Sequence, residues 1–228
     1  MSDLVTIDHL SVRLGRKVAL KDLSLTLADR GHVVGLFGQN GAGKSTLMRA
    51  LCGLINRYTG TIHSTASGIA YLPDSSFLAP WLRIDECVGL AERLWSDFDP
   101  HVARSILRQL GLDPRLKLRE TSKGMSEQIH LGLVLARRSR LYVFDEPLAA
   151  VDPLTRDRLI DMVREFRTSG STVVISTHLI SGLEGLFDEA VVVHDGTTVL
   201  HEDLLTGGES RTLEARVKEV IAADALAH

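Results

Sequence analysis

The sequence has few cysteines, few aromatic residues and no long apolar run. Its two cysteines, Cys52 and Cys87, show neither a metal-binding spacing nor a disulfide framework, which favours a reducing compartment. The longest apolar segments, such as that in EAVVVHD, are far shorter than the ~18 residues that a membrane-spanning helix requires. The N-terminal segment places acids and a histidine where a signal peptide needs an apolar core. If this protein functions at a membrane, we therefore expect another chain to provide the membrane-spanning segments.

An excess of basic charge is also missing. The formal net charge is -3, so the chain offers no general positive field for a nucleic-acid backbone, and we expect no nucleic acid as partner. Hydrophobic residues make up 44% of the 228 residues. A chain of this size forms one large domain, or a core with an insertion. It buries enough surface to fold without disulfides or a structural metal.

Short β-like runs alternate with helical patterns. The runs HVVGLF (32–37), GIAYL (68–72), LYVFD (141–145), TVVIST (172–177) and AVVVHD (190–195) are apolar without alternation. This pattern is typical of strands that are buried on both faces of a mostly parallel sheet. The fold class is therefore α/β.

Helical patterns fill the segment 75–140, where LRIDECVGLAERLW and HVARSILRQLGL carry apolar residues at helical spacing. We predict that this segment is a helical insertion between two core strands. Beyond it, VVVHDGTTVL predicts a hairpin at Asp-Gly. The tail after residue 206 predicts an amphipathic helix, packed on the core, with Leu213, Val217 and Val220 on one face.

A glycine-rich motif, G-x-x-x-x-G-K-S, extends from Gly38 to Ser45 between a predicted strand and a predicted helix. This context is typical of a loop whose amides surround phosphates at a helix N-terminus. Lys44 would reach the β- and γ-phosphates, and the Ser45 hydroxyl would bind Mg²⁺. A turn without a ligand and a dinucleotide fold are the alternatives, but Lys44 stands where the dinucleotide motif needs close packing of glycine. We predict that Leu47, Leu51 and Leu54 form the buried face of the following helix.

Two acids, Asp145 and Glu146, follow the apolar run LYVF at the carboxyl end of a predicted strand. Asp145 suits the strand-end acid that holds Mg²⁺, and Glu146 suits a base acting on water. Alone, Asp-Glu-Pro is more often a turn. Together with the glycine-rich motif, it predicts a hydrolytic site.

The order of these motifs resembles the ATP-binding subunits of ABC transporters over nearly the whole chain. GQNGAGKST resembles the Walker A motif, YLPD the Q-loop, TSKGM the signature, LYVFDEP the Walker B motif, LAAVDP the D-loop and ISTH the switch-histidine segment. The resemblance implies a P-loop core with an N-terminal antiparallel β portion. It divides the chain into a catalytic core (1–74 and 141–206), a helical subdomain with the signature (75–140) and a C-terminal helix (207–228).

The resemblance also implies ATP and Mg²⁺ as cofactors. Glu146, His178 and Lys44 are the catalytic candidates. Metal ligands are expected at Ser45, Asp74 and Asp145. The residues expected to bind nucleotide are Gly38, Gln39, Asn40, Gly41, Ala42, Gly43, Lys44, Ser45, Thr46, Leu14, Ser122, Lys123, Gly124, Met125 and Asp152.

The signature segment, defined here as residues 121–125, opens a helix. Ser122 is then either an ordinary helix cap or a phosphate ligand, and both roles use the same geometry. The resemblance favours the ligand role, in which Ser122 and the amides near Gly124 contact ATP held by a second subunit. Lys123 replaces a glycine of the common pattern and Met125 a glutamine, which we expect to be compatible with activity.

Two further positions depart from the common pattern. Asp74 stands in the Q-loop in place of glutamine or glutamate, and we expect its shorter reach to tune the rate of hydrolysis. No aromatic residue precedes Phe37 to stack on adenine. Leu14 stands at the matching position, so either apolar contact or a guanidinium from Arg13 or Arg16 would replace the stack, and we expect weak base discrimination.

Trp81 and Trp95 both fall in the helical insertion. They form either a local core or an exposed patch for a membrane subunit, and Trp81, beside Pro80, is the better candidate for the patch.

We expect an ATP hydrolase that energises a separate transmembrane permease subunit, in efflux, with a second copy of itself or a paralogous ATPase subunit. It would lie in the cytoplasm, peripheral on the inner face of the cell membrane. One alternative is a soluble ABC-type ATPase acting on nucleic acid, ribosomes or cofactor assembly. Another is a regulatory binder that closes on ATP without useful hydrolysis.

Overall fold

The computed structural model describes residues 2–149, 151–180, 182–205 and 212–227. The start of the predicted C-terminal helix segment, 207–211, and Ala150 of the predicted D-loop therefore lie outside the described residues.

Two sheets form the β structure. A three-stranded antiparallel sheet has the order β2-β1-β4, and a six-stranded sheet has the order β5-β6-β7-β3-β8-β9. The first consists of β1 (Asp3–Leu14), β2 (Lys17–Ala28) and β4 (Tyr58–Ser64). The second consists of β3 (Val33–Phe37), β5 (Ile69–Leu72), β6 (Leu141–Asp145), β7 (Thr172–Thr177), β8 (Glu189–His194) and β9 (Thr197–Asp203).

All pairings in the six-stranded sheet are parallel except the β8–β9 hairpin. The strands β3, β6 and β7 are buried along their whole length and consist mainly of apolar and small residues. The predicted α/β class, the N-terminal antiparallel portion and the five strand positions are confirmed. Because β3, β6 and β7 are neighbours and parallel, their carboxyl ends meet at one edge of the sheet.

Six α-helices complete the described structure. They are α1 (Lys44–Leu51), α2 (Ile84–Leu94), α3 (Pro100–Gln109), α4 (Lys123–Leu135), α5 (Pro153–Phe166) and α6 (Leu213–Ala227). The helices α2, α3 and α4 lie between β5 and β6, as the sequence predicts, and share an apolar cluster that includes Ile84, Ala103 and Ile129. One face of the six-stranded sheet packs against α4, α5 and α6, and the other packs against α1 and the three-stranded sheet. In α6, Leu213 and Val217 are buried and Val220 is half-buried, so the predicted face packs against the core.

The prediction for Leu54 is wrong. Its side chain is 61% exposed, whereas Leu47 and Leu51 are buried. Helix α1 ends at Leu51, and Gly53 adopts a positive φ of 71° while its amide donates to the Ala50 carbonyl. This left-handed turn takes the chain off the helix, so the helical period no longer applies to Leu54.

The free thiols of Cys52 and Cys87 form no disulfide. In the described ranges, no helix has the length and apolar character that a membrane crossing requires.

Candidate functional site

The loop from Gly38 to Gly43 joins β3 to α1 and forms the floor of a pocket of about 250 Å³. Gly38 has a φ of 152°, and a Cβ there would lie 2.2 Å from the Val193 carbonyl oxygen, so the loop requires glycine at this position. The residues that line the pocket are Leu14, Lys17, Ala19, Gln39, Asn40, Gly41, Gly43, Lys44, Ser45, Thr46, Asp74 and Glu146. The pocket therefore brings together most of the predicted nucleotide-binding residues of the core.

Lys44 is the first residue of α1, and its side chain is only 6% exposed. The Nζ atom donates to the Gly38 carbonyl at 2.7 Å and lies 3.4 Å from Glu146 Oε1. The cation is thus held at the helix N-terminus, where both its charge and the helix dipole attract an anion.

Asp145 is fully buried and contacts Ser45, which lines the pocket. Its Oδ1 accepts hydrogen bonds from Ser45 Oγ at 3.0 Å and from Ser176 Oγ at 2.7 Å, and its Oδ2 accepts one from Tyr71 at 3.4 Å. A buried carboxylate beside a hydroxyl on a pocket wall supplies the hard oxygen ligands that Mg²⁺ prefers. Ser45 and Asp145 therefore fit a metal ion. The described residues contain no group of three or more histidine, cysteine or acidic side chains that could hold one.

Glu146 follows the end of β6 with a φ of 50°, an uncommon backbone conformation for a residue other than glycine. Two hydrogen bonds from its amide, to Ser176 Oγ at 2.9 Å and to the Ser176 carbonyl at 3.2 Å, hold this turn. Its Oε2 lies 2.9 Å from His178 Nδ1, while its Oε1 faces Lys44. The carboxylate is thus fixed between a cation and a histidine, in the wall of the pocket.

Asp74 lines the same pocket, but its carboxylate contacts another residue. Its Oδ1 lies 3.3 Å from Arg49 Nη2, and both side chains are about half-exposed. The neighbouring Tyr71 side chain raises the pKa of the Arg49 guanidinium, and burial raises the pKa of Tyr71 to about 12. Arg49 therefore contacts one predicted metal ligand, Asp74, and Tyr71 contacts another, Asp145.

Leu14 is 49% exposed, at the end of β1, and forms an apolar part of the pocket wall. Ala42 is buried in the loop, and its amide donates to the Gln39 carbonyl.

The signature segment does not line the pocket. Ser122 caps α4, and its Oγ accepts the amide hydrogen of Met125 at 3.2 Å, so the predicted cap is present. Lys123 occupies the first helical position with ordinary backbone angles, whereas a Cβ at Gly124 would lie 3.0 Å from Thr155 Oγ1. The structure therefore accommodates a lysine at 123 but leaves little room for a side chain at 124.

Asp152 caps α5 in the same way. Its carboxylate accepts hydrogen bonds from the amide and the hydroxyl of Thr155 at 3.0 and 2.6 Å. These bonds lower the pKa of Asp152, which keeps the cap ionised. Since Thr155 also packs against Gly124, the signature helix and the segment that contains Asp152 are in contact.

Sequence reasoning missed Ser176, Tyr71 and Arg49 as members of the site. The parallel register places Ser176 opposite Asp145, so knowledge of the strand order would have identified it. No sequence signal points to Arg49, which lies on the exposed side of α1.

The chain is similar to known proteins in sequence and in fold. A family model described as ABC transporter matches residues 20–149. The uncharacterized ABC transporter ATP-binding protein YthP of Bacillus subtilis (strain 168) is 32% identical over 88% of this chain and 87% of the relative. The aliphatic sulfonates import ATP-binding protein SsuB 2 of Pseudomonas aeruginosa (strain UCBPP-PA14) is 33% identical over 81% of this chain and 69% of its own. A solved structure described as an ATP-binding subunit of an ABC transporter superposes with a TM-score of 0.82 at 26% identity, over 95% of this chain and 99% of that chain.

Proposed function

The chain belongs to the ABC transporter family as an ATP-binding subunit with ATPase activity, and from this membership we propose how its own residues bind ATP, hydrolyse it and drive a membrane partner. The observation that carries the proposal is the position of Glu146 between Lys44 and His178, at the edge of the phosphate-binding pocket.

The pocket binds the triphosphate through the loop of residues 38–46. The amides at the N-terminus of α1 and the Lys44 ammonium contact phosphate oxygens, and Leu14 offers the adenine an apolar surface. Ser45 and Asp145 hold Mg²⁺, with Asp74 as a further ligand, directly or through water. When bound, the ion neutralises charge that develops on the phosphates.

Glu146 acts as the base that orients and deprotonates the attacking water. The His178 imidazole fixes one of its carboxylate oxygens and contacts the γ-phosphate when ATP is bound. Lys44 stabilises the negative charge of the transition state.

The site is completed by a second subunit, either a copy of this chain or a paralogue. ABC ATP-binding subunits dimerise and work with transmembrane components. We assign to Ser122, Lys123, Gly124 and Met125 the role of binding the partner's γ-phosphate, for which their exposed helix N-terminus is suited. Asp152 holds the adjoining segment in place for this contact.

The chain is proposed to consist of a catalytic core (1–74 and 141–206), a helical subdomain (75–140) and a C-terminal helix (207–228). The helical subdomain docks a separate permease subunit, which places the protein on the inner face of the cell membrane. Trp81 supports this role because it is 66% exposed, whereas Trp95 is partly buried among Phe77, Phe98 and Arg137.

We propose efflux as the direction of transport. The pattern SKGM, DEPLAAVDP and an acidic Q-loop residue resembles ATPases of exporters with separate membrane subunits. One relative named above, SsuB 2, is an import protein, so the direction needs its own test. In inverted membrane vesicles that contain the chain and its permease, added ATP should drive uptake of the transported substrate. If the substrate instead accumulated only in right-side-out vesicles that enclose ATP, the direction of transport would be import.

Mg²⁺-dependent ATP hydrolysis by the purified protein, with and without the permease, tests the function as a whole. Stimulation by the permease supports transport. Stimulation by nucleic acid or ribosomes instead would favour the soluble ATPase, and ATP-driven dimerisation without hydrolysis in either condition would favour the regulatory binder.

Replacing Asp74 by glutamine should change turnover by about tenfold, because residues around a metal site often have effects of this size. The measurement is kcat together with the Mg²⁺ concentration that gives half the maximal rate. Asp161→Gln, at an exposed position of α5, is the matched control. If Asp74→Gln left both quantities unchanged, Asp74 would have no role at the metal. If Arg49→Met reproduced the full effect, the ion pair with Arg49 would be the cause instead of metal contact.

Replacing Trp81 by alanine should weaken assembly with the permease by about 30-fold, since exposed tryptophans often contribute 2 kcal/mol or more to an interface. Binding of the detergent-solubilised permease to the immobilised variant measures this, and Leu205→Ala, which truncates another exposed apolar side chain, is the control. Unchanged binding by Trp81→Ala would remove Trp81 from the interface.

A further inference from the structure

A buried histidine in the signature helix has no part in the proposed chemistry. His130 lies in α4, about two turns after Ser122. Its side chain is only 4% exposed. A buried imidazole of this kind requires hydrogen-bond partners, and those partners show which parts of the chain it joins.

Both ring nitrogens of His130 have a partner. Nδ1 lies 2.6 Å from the Ser126 carbonyl oxygen of its own helix, and Nε2 lies 2.9 Å from Ser76 Oγ. Burial lowers the pKa of His130, so the ring is neutral at pH 7. Because a carbonyl can only accept, Nδ1 carries the hydrogen, and Nε2 accepts from the Ser76 hydroxyl.

The neighbouring residue strengthens the same connection. The ring of Phe77 meets the His130 imidazole edge to face, with centroids 4.9 Å apart. Phe77 also contacts Trp95 in the apolar cluster of the helical segment, at 6.1 Å between ring centroids. His130 therefore holds two consecutive residues of the segment that follows Asp74.

The two ends of this connection carry separate parts of the proposed site. Asp74 precedes Ser76 by two residues and lines the nucleotide pocket of its own subunit. Ser122 begins the helix that contains His130 and faces the second subunit under the proposed function. We propose that His130 is a positioning residue that fixes the signature helix to the segment after Asp74, so that Ser122 follows the movement of that segment.

This proposal rests on the proposed function. It concerns how ATP bound near Asp74 in one subunit affects the position of Ser122, which contacts the ATP of the second subunit. The segment held by His130 leads directly to Pro80 and the exposed Trp81, where the permease is proposed to dock. Binding of the permease at Trp81 would therefore shift the position of Ser122. The shift would pass through the contacts of His130 with Ser76 and Phe77.

Three variants separate the hydrogen bond from the packing. His130→Phe keeps a ring of similar size but has no ring nitrogen, and Ser76→Ala removes only the hydroxyl. His130→Gln restores an oxygen acceptor near the position of Nε2. His101→Phe, at an exposed position of α3, is the matched control.

All variants are made in a Glu146→Gln background, so that ATP persists. The apparent dissociation constant of the ATP-bound dimer is measured by sedimentation, and the affinity of dilute protein for a fluorescent ATP analogue is measured alongside it. We expect His130→Phe and Ser76→Ala each to raise the dimer constant about tenfold, since each removes the hydrogen bond between Ser76 Oγ and His130 Nε2, which joins the two segments. The double variant should have the same dimer constant as the single variants, and His130→Gln should restore most of the affinity between subunits. The affinity of every variant for ATP should stay within about twofold of the parent's.

The proposal is overturned if His130→Phe dimerises like the parent, or if the two substitutions have additive effects. It is also overturned if dimerisation, ATP affinity and melting temperature decline together and glutamine restores none of them, because this pattern indicates a core histidine only. If the Glu146→Gln parent itself forms no ATP-dependent dimer, the dimeric part of the proposed function fails and this inference fails with it. If the parent dimerises and the His130 and Ser76 variants dimerise equally well, this inference is rejected and the proposed function is unaffected.

Discussion

Replacing Glu146 by glutamine is expected to slow ATP hydrolysis by about 100- to 10,000-fold, the range over which a positioned general base contributes. The carboxylate is held by His178 at 2.9 Å and faces Lys44 at 3.4 Å, so glutamine fits the same space but cannot take a proton from water. ATP binding should persist, since the loop and Lys44 remain. Release of phosphate in steady state, together with equilibrium binding of ATP, measures both effects.

The control for this substitution is Glu92→Gln, which makes the same chemical change at an exposed position of α2. A Glu146→Gln protein that retained more than about a tenth of the parent rate would contradict the assignment of Glu146 as base. His178 would then be the next candidate to test, because its imidazole is within hydrogen-bond distance of that carboxylate.

Replacing Lys44 by methionine is expected to weaken ATP binding by about 100-fold. A charge-assisted hydrogen bond contributes about 1.5 to 3 kcal/mol, and Lys44 is nearly buried, so water replaces its charge poorly. Its loss also leaves the Gly38 carbonyl without the Lys44 donor, which disturbs the loop itself. Calorimetric titration with ATP in the presence of Mg²⁺ gives the affinity.

The matched control is Lys117→Met in the helical segment, and we expect it to bind ATP like the parent. A second measurement, the melting temperature without nucleotide, shows whether the Lys44 variant is folded. A folded Lys44→Met protein with the parent's affinity would show that the loop amides alone bind the triphosphate, and would remove Lys44 from the site.

Much of the site can be predicted from the chain alone because its parts are local motifs. The spacing from Gly38 to Ser45 specifies a tight turn into a helix N-terminus, whatever the rest of the fold. The unalternated runs before Asp145 and His178 specify buried parallel strands, and such strands end at a common edge. Helix caps are also local, which is why Ser122 could be recognised as one before its surroundings were known.

Other features depend on which elements pack together. Ser176 belongs to the site because β6 and β7 are paired with Asp145 opposite Ser176, and strand order is not a local property. Arg49 reaches Asp74 because α1 lies beside the end of β5, and Leu54 is exposed because α1 ends one turn earlier than its apolar spacing indicates.

The sequence by itself determined the fold class, the phosphate-binding loop and the two strand-end acids, since each depends on spacing within a short segment. Only the tertiary structure decided what each side chain contacts. It placed Glu146 between Lys44 and His178, paired Asp74 with Arg49 and joined Ser76 to His130. The physical reason is that such contacts join residues distant in sequence, and they form only when the sheet order and the packing of the helices bring those residues within a few ångströms.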